Sequence, residues 1–307
     1  MYAYYQSHES NLSAAERRLL VDVDNLYELF IYLLSFWVEV KRFADQRIEE
    51  NKKKIFPTEQ DLNPNMKFVN NVILNALEQN DHLIRLEQNY KINWANDRDD
   101  FIRAFYGRMT EYPEFQEYMN NGKNSFDDDR KFLVAVIDNY MAEDDSLYDY
   151  FADRKLAFNS DYQLGVYLLW KFFTEMRPDF SANSKLPSAY TTEKSESNDD
   201  KEFVVQLFRK TILHAEEYRE LVKEHLSNWD YDRLALMDKI LIFMALTEFC
   251  QFHSIPVKVT INEYIEISKF YSTADSRRFV NGMLDKLSNV LKENGKLVKT
   301  GMGLVDK

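Results

Sequence analysis

Residues 231–252 read YDRLALMDKILIFMALTEFCQF, and this stretch decides the fold class. Apolar side chains fall on almost every side of a helix through it, as Leu234, Ile240, Met244 and Phe249 illustrate. A helix that is hydrophobic all round lies buried at the centre of its domain. The sequence therefore predicts a central helix that other helices surround.

Most of the remaining chain repeats the 3–4 spacing of apolar residues that is typical of helices. It predicts helices over about 26–54, 64–84, 99–108, 113–119, 127–141, 147–151, 162–176, 199–226, 257–271 and 272–294. Ser13 with Glu16, and Ser272 with Asp275, have the spacing of N-terminal capping arrangements, and Gly295 is expected to end the last helix. Only seven glycines are present, which speaks against sheet-based nucleotide enzymes. We predict an all-α protein.

The organisation along the chain follows from where the helical pattern is lost. Residues 1–176 form an expanded, acidic N-terminal helical region. Prolines and serines interrupt residues 177–198, so that this stretch is predicted to be a linker or long loop. Residues 199–294 form a second helical domain, and residues 295–307 a tail. The tyrosines and phenylalanines of the first region are interpreted as core rather than as a partner surface.

Charge is unevenly distributed between the two halves. The net charge is −12, but residues 201–307 hold 16 Lys and Arg against 15 Asp and Glu, or +1. Residues 1–200 hold 23 Lys and Arg against 36 Asp and Glu, which is a net charge of −13. A local basic face is therefore compatible with the second domain, whereas the acidic region is expected to contact an extra protein partner rather than RNA.

Catalytic and metal-binding patterns are missing from the sequence. The single cysteine, Cys250, excludes an intramolecular disulfide, and the five histidines form no zinc-binding pair. No nucleophile elbow, phosphate loop or dinucleotide fingerprint is found. The carboxylates Asp127–Asp129 fit a helix start better than a metal site. We therefore expect no enzyme, no metal and no cofactor.

The absence of a signal peptide and of a long apolar run predicts a cytoplasmic protein without a membrane segment.

Two blocks near the C-terminus resemble a known family. Residues 255–263 read IPVKVTINE and residues 279–285 read FVNGMLD, in this order and about twenty residues apart. Asn228-Trp229, residues 238–241 (DKIL) and residues 245–249 (ALTEF) precede them. Together they resemble the C-terminal domain of the transcription antitermination factor NusB, over about residues 200–293.

The resemblance implies a small helical factor that regulates transcription by antitermination. Members pair with the ribosomal protein NusE, and the pair binds boxA-type RNA in the leaders of ribosomal RNA transcripts within an antitermination complex with RNA polymerase. The RNA-binding positions that it implies here are Tyr2, Lys239, Lys258, Arg277, Arg278 and Phe279. The implied partner-binding positions are Tyr2, Asp238 and Asp275.

Several of these positions have a second interpretation. Phe279 either stacks on an unpaired base or packs in the core, and the two interpretations carry equal weight. Lys239 and Lys258 also fit ordinary surface lysines. Asn281-Gly282 is poor helix chemistry, and we interpret Gly282 as permitting close helix–helix packing rather than ligand contact.

The front of the chain departs from the family pattern. Residues 2–6 (YAYYQ) resemble the end of the first NusB helix, but the arginine-rich segment that should precede it is missing. Weak RNA affinity is expected on this ground. The alternative function is a helical protein–protein scaffold of NusB-like fold that has lost RNA binding. The accessory domain of a ribosomal RNA methyltransferase is disfavoured, because no catalytic domain follows residue 285.

Overall fold

The computed structural model describes residues 1–7, 11–190, 200–226 and 230–304. Within these ranges every regular element is helical, which confirms the predicted all-α class. The chain divides into two compact units. The inserted unit is Asp22–Ala189, and the terminal unit combines Met1–Val21 with Tyr190–Lys307.

The inserted unit contains most of the long helix α2 and a set of shorter helices. The first ten residues of α2 belong to the terminal unit. The helices are α2 (Leu12–Lys52), α3 (Glu59–Leu62), α4 (Val72–Glu78), α5 (Asp81–Tyr90), α6 (Arg103–Glu111), α7 (Pro113–Asn120), α8 (Phe126–Asn139), α9 (Asp145–Arg154) and α10 (Leu156–Glu175), with a π-helical turn at Arg98–Ile102 and a 3-10 turn at Met141–Glu143.

Helix α2 is the centre of the inserted unit. Almost all side chains from residue 29 to residue 44 are buried. The buried hydroxyl of Ser35 donates to Glu87 at 2.5 Å and accepts from the Trp94 indole at 2.8 Å, so that its polar atoms are satisfied. Helix α10 approaches α2 closely at Gly165, where a Cβ would lie 2.8 Å from the Leu29 Cδ2 atom. The aromatic residues of this unit, among them Phe115, Tyr118 and Tyr162, are mainly core, as predicted.

Two of the predicted helix boundaries in this part of the chain are wrong. Helix α2 begins at Leu12, where the Asn11 side chain accepts from the Ala14 N–H at 3.0 Å, so that the predicted Ser13–Glu16 box does not form. The helix predicted over residues 64–84 is two helices, because the buried side chains of Asn71 and Asn80 cap α4 and α5. Each asparagine accepts a backbone N–H at a helix start and so begins a new helix.

The predicted loop over residues 177–198 is described only as far as residue 190. Its first part is non-helical and is held by hydrogen bonds within the inserted unit. The Asn80 amide donates to the carbonyls of Ser181 and Ser184, and the Tyr27 hydroxyl donates to the Pro187 carbonyl at 2.7 Å. Residues 191–199 lie outside the described ranges.

The terminal unit surrounds one buried helix. Its helices are α1 (Tyr2–Ser7), α11 (Asp200–Leu213), α12 (Ala215–His225), α13 (Leu236–Gln251), α14 (Val257–Tyr271) and α15 (Ala274–Glu293), with 3-10 turns at Tyr231–Arg233 and Gly301–Leu304. Ten residues of α13 are buried, so the central helix is confirmed. The helix predicted over 199–226 is interrupted at His214, which separates α11 from α12.

The tail after α15 closes the C-terminal end of α13. Gly295 adopts φ 67° and ends α15, as predicted. The Lys299 ammonium then donates to the carbonyls of Glu248 and Phe252 at 3.0 Å each. The Glu248 carbonyl also accepts from the Phe252 N–H and the Phe252 carbonyl from the Ile255 N–H, so Lys299 adds a second donor to each. Residues 305–307 are outside the described ranges.

None of the described helices is long and apolar enough to cross a membrane.

Candidate nucleic-acid interface

A partly buried hydrogen bond joins the start of α13 to the junction of α14 and α15. Asp238, in the first turn of α13, is only 4% exposed. Its carboxylate accepts from the Ser272 hydroxyl at 2.5 Å. Ser272 is the C-cap of α14, and α15 begins two residues later. The predicted positions 238–239 and 275–279 therefore lie at the same end of the terminal unit.

The start of α15 presents exposed charge. Thr273 caps the helix by accepting the Ser276 N–H at 3.2 Å, so the cap is one residue later than the predicted Ser272. Asp275 and Arg278 form an ion pair of 3.7 Å with side chains 95% and 85% exposed. A pair so exposed holds its partners weakly, so the Arg278 guanidinium is available to a ligand. Arg277 beside it is half-buried.

Phe279 directly follows Arg278 in α15 and is half-buried. Its ring packs against the core of the terminal unit, and part of it stays accessible. Both predicted interpretations, base stacking and core packing, are compatible with this position.

Lys239 lies in the first turn of α13, and Tyr2 lies on a helix that packs against α13. The Lys239 ammonium stands 4.7 Å from the centre of the Tyr231 ring. Helix α1, which carries Tyr2, packs on α13. The Tyr2 side chain is 44% exposed, and its hydroxyl accepts from the Gln6 amide at 2.8 Å. Asp238 differs from the other predicted residues, since its burial fits a positioning role better than direct partner contact.

Lys258 lies at the opposite end of the unit. It is exposed in the first turn of α14, whereas Ser272 caps the other end of this helix. A helix of this length spans about 20 Å. Lys258 lines a separate cavity of about 600 Å³ with Lys292 and Leu297 from the end of α15 and the tail. The structure thus separates Lys258 from the other predicted RNA-binding positions.

The expected packing role of Gly282 is wrong. A Cβ placed on Gly282 would meet no atom within 4 Å, and both Asn281 and Gly282 are exposed. They follow Arg278 by three and four residues, so that the three residues share one face of α15. This spacing can be read from the sequence, and it predicts that Asn281 and Gly282 lie on the same exposed face of α15 as Arg278.

Comparison with known proteins places these motifs in one family. The NusB family model matches residues 151–289. The transcription antitermination protein NusB of Salinibacter ruber is 37% identical over 133 residues, which cover 43% of this chain and 83% of that protein. The chain belongs to the NusB family.

Other NusB proteins match shorter parts. That of Chloroherpeton thalassium is 41% identical over 106 residues, or 34% of this chain and 50% of the relative. That of Methylacidiphilum infernorum is 41% identical over 97 residues, or 32% of this chain and 66% of the relative. No solved structure matches. The similarity therefore concerns part of the chain, and the family match includes none of residues 1–150.

The NusB match extends over the C-terminal elements that build the interface. It includes α11 to α14 and most of α15, and it excludes α1, which nevertheless groups with these helices in the terminal unit. Among the described residues, no group of three or more His, Cys, Asp or Glu side chains could hold a metal ion. The NusB family consists of transcription factors rather than enzymes.

Buried acids in this NusB domain serve the fold. The Glu248 carboxylate accepts from the Tyr264 hydroxyl at 2.7 Å and from the Thr260 hydroxyl at 3.0 Å. Burial raises the pKa of Glu248, although these two hydrogen bonds oppose the shift. Burial likewise raises the pKa of the Cys250 thiol, which fits the predicted core role of this residue.

Proposed function

We propose that this chain is a transcription antitermination factor that pairs with the ribosomal protein NusE and binds boxA-type RNA of ribosomal RNA leaders. It acts in the cytoplasm, in a complex with RNA polymerase, and it is not an enzyme. Family membership supports the general role. The observation that carries the finer proposal is the clustering of Lys239, Asp275, Arg277 and Arg278 at one end of the terminal unit.

The proposed RNA surface consists of Arg277, Arg278, Phe279 and Lys239. The cations can neutralise phosphates, and the accessible part of the Phe279 ring can stack on an unpaired base. Tyr2 and Asp275 are the proposed NusE-binding residues. Asp238 supports both surfaces through Ser272, and Lys258 is left out because it lies at the other end of α14.

The first experiment is isothermal titration calorimetry of the full chain with NusE, followed by RNA binding at several salt concentrations. We expect the pair to bind boxA-type RNA more tightly than a scrambled RNA of the same length. Arg277→Gln and Arg278→Gln, made singly, should each weaken binding and lower the salt slope by about 0.7, because one phosphate is no longer neutralised. Lys258→Gln is the matched control, since it removes one charge elsewhere. Absence of NusE binding, or equal weakening in the control, would contradict the proposal.

The scaffold function is the second candidate, and an exposed apolar pair in the inserted unit favours it. Ile55 and Phe56 are each 89% exposed and directly follow the basic run Lys52–Lys54. Contiguous exposed apolar side chains mark protein-interaction sites more often than scattered single ones do. They are suited to an acidic protein partner with an apolar pocket. NusE binding without any salt-dependent RNA binding would favour the scaffold, whereas RNA binding by the pair would contradict it.

A further inference from the structure

The cavity of about 600 Å³ that includes Lys258 has no role in the proposed RNA binding. It lies where the first turns of α14, the second half of α15 and the tail after α15 meet, and all its lining residues belong to the terminal unit. Binding pockets of proteins measure about 300–1,000 Å³, so this cavity is large enough for a ligand.

The tail forms a fixed wall of this cavity. The Leu297 N–H donates to the Leu291 carbonyl at 3.0 Å, and the Thr300 N–H donates to the His253 carbonyl at 2.9 Å. The His253 Nδ1 atom lies 2.6 Å from the Val298 carbonyl oxygen. The cavity therefore exists before a ligand binds, and binding does not have to order this wall.

Aliphatic side chains line the cavity and remain accessible. Val257, Ile261 and Leu297 are half-buried. Val298 and Leu304 are 51% and 69% exposed. A contiguous accessible apolar surface of this kind marks an interaction site. The described lining residues include no aromatic ring, so that an RNA base would find no stacking surface here.

Lysines give the cavity a positive edge. Lys258 and Lys292 are exposed, and neither forms an ion pair with a described residue. The third lysine, Lys299, donates to the carbonyls at the end of α13, and burial lowers its pKa. Asp285 is the one carboxylate among the described lining residues. The two unpaired ammonium groups beside an apolar wall are complementary to a ligand that combines carboxylates with aliphatic groups.

We propose that this cavity binds a segment of a partner protein in which Asp or Glu residues alternate with Leu, Ile or Val. The aliphatic side chains of the segment pack against Val257, Ile261 and Leu297, and its carboxylates pair with Lys258 and Lys292. Burial of the apolar groups provides most of the affinity, and the ion pairs select an acidic partner. The inference does not rest on the proposed RNA binding, because the proposed RNA surface lies at the other end of α14.

The experiment uses a phage-displayed library of peptides of random sequence, selected on the immobilised full chain. The enriched peptides are then synthesised with a fluorescent label, and their affinity is measured by fluorescence anisotropy. We expect these peptides to carry Asp or Glu beside Leu, Ile or Val. Their binding should weaken as salt is added, because salt screens ion pairs between exposed groups.

Three variants and a matched control locate the bound peptide. Lys258→Gln and Lys292→Gln should each weaken binding about threefold, and the double variant about tenfold with a smaller salt dependence. Val298→Ser should weaken binding about threefold and leave the salt dependence unchanged, since it removes apolar surface and no charge. Lys269→Gln is the control, because Lys269 is exposed in the last turn of the same helix. It should bind the peptide as the unaltered chain does.

Two results would overturn the inference. One is a set of enriched peptides that lack carboxylates or lack aliphatic side chains. The other is peptide binding that the double lysine variant leaves unchanged, or that the control weakens as much as Lys292→Gln does. The melting temperatures of all variants are measured as well. They should match that of the unaltered chain, because the substituted side chains are exposed.

Discussion

Removing the hydrogen bond between Asp238 and Ser272 should loosen the end of the terminal unit that carries the proposed interface. The carboxylate is 4% exposed and accepts from the hydroxyl at 2.5 Å. A hydrogen bond to a charged group contributes about 1.5–3 kcal/mol. Ser272→Ala leaves the carboxylate buried without this donor and should cost about 2–3 kcal/mol. Asp238→Ala should cost about as much, since it also removes a favourable charge from the first turn of α13.

The assay is hydrogen exchange followed by mass spectrometry, because it resolves the stability of single segments. Peptides from α14 and the start of α15 should exchange faster in both variants. A double-mutant cycle should give a coupling energy of about 1–2 kcal/mol, since the second substitution removes a bond that is already absent. Asp238→Asn retains an acceptor and should change exchange least. The matched control is Asp285→Ala, which removes an exposed carboxylate from α15 and should stay within about 0.5 kcal/mol.

Additive effects of the two substitutions would refute this reasoning. So would Ser272→Ala with unchanged exchange in α14 and α15. If the cycle behaves as expected, both variants should also bind RNA less tightly, because Arg277 and Arg278 lie within six residues of Ser272. Unchanged RNA binding in a loosened segment would show that these arginines do not need a fixed position.

Three further predictions concern the terminal unit. Gly282→Ala should stabilise it by about 0.5–1 kcal/mol in urea unfolding, because a Cβ there meets open space and alanine favours the helix; a decrease in stability would reveal an unfavourable contact. Gly303→Ala should detach the tail and speed hydrogen exchange after residue 296, because its Cβ would overlap the His253 carbonyl oxygen; normal protection would contradict this. Burial raises the pKa of Glu248, so its contribution to stability is largest below the usual glutamate pKa and falls as pH rises above it. The unfolding free energy of the unaltered chain relative to Glu248→Gln should therefore decrease as pH rises above the usual glutamate pKa, and a pH-independent difference would disprove it.

Helix periodicity predicted the fold class because the apolar pattern of α13 and its neighbours is strong. The boundaries were less predictable. Asn71 and Asn80 look like ordinary polar residues in the sequence, and only their burial shows that each caps a new helix. The start of α2 at Leu12 was missed for a related reason. The apolar run begins at Leu26, whereas the first turns contact α11, where Glu16 pairs with Arg209 at 2.7 and 2.9 Å.

Residues of the candidate site could be predicted from the sequence only where they belong to a recognisable motif or lie directly beside one. The FVNGMLD block identified Phe279, and the residues before it identified Arg277 and Arg278. Sequence spacing could not show that Lys239 lies near them and Lys258 does not, because this depends on which ends of α13, α14 and α15 meet. A cavity in the terminal unit shows the same limit. Tyr5, Arg219 and Lys239 all line it, although Tyr5 and Arg219 lie more than 200 residues apart in the chain and no local pattern links them.

The acidic net charge of the chain is compatible with the proposed RNA binding when the charge of each unit is counted separately. The inserted unit, Asp22–Ala189, holds 20 Lys and Arg against 30 Asp and Glu, or −10 of the total −12. The terminal unit therefore carries only −2. Affinity for RNA depends on the cations that contact phosphates, and exposed charges further away than about 8 Å are largely screened at physiological salt. The proposed RNA binding would then depend on local cations such as Lys239 and Arg278 rather than on the total charge, and a protein partner of the acidic inserted unit stays a prediction.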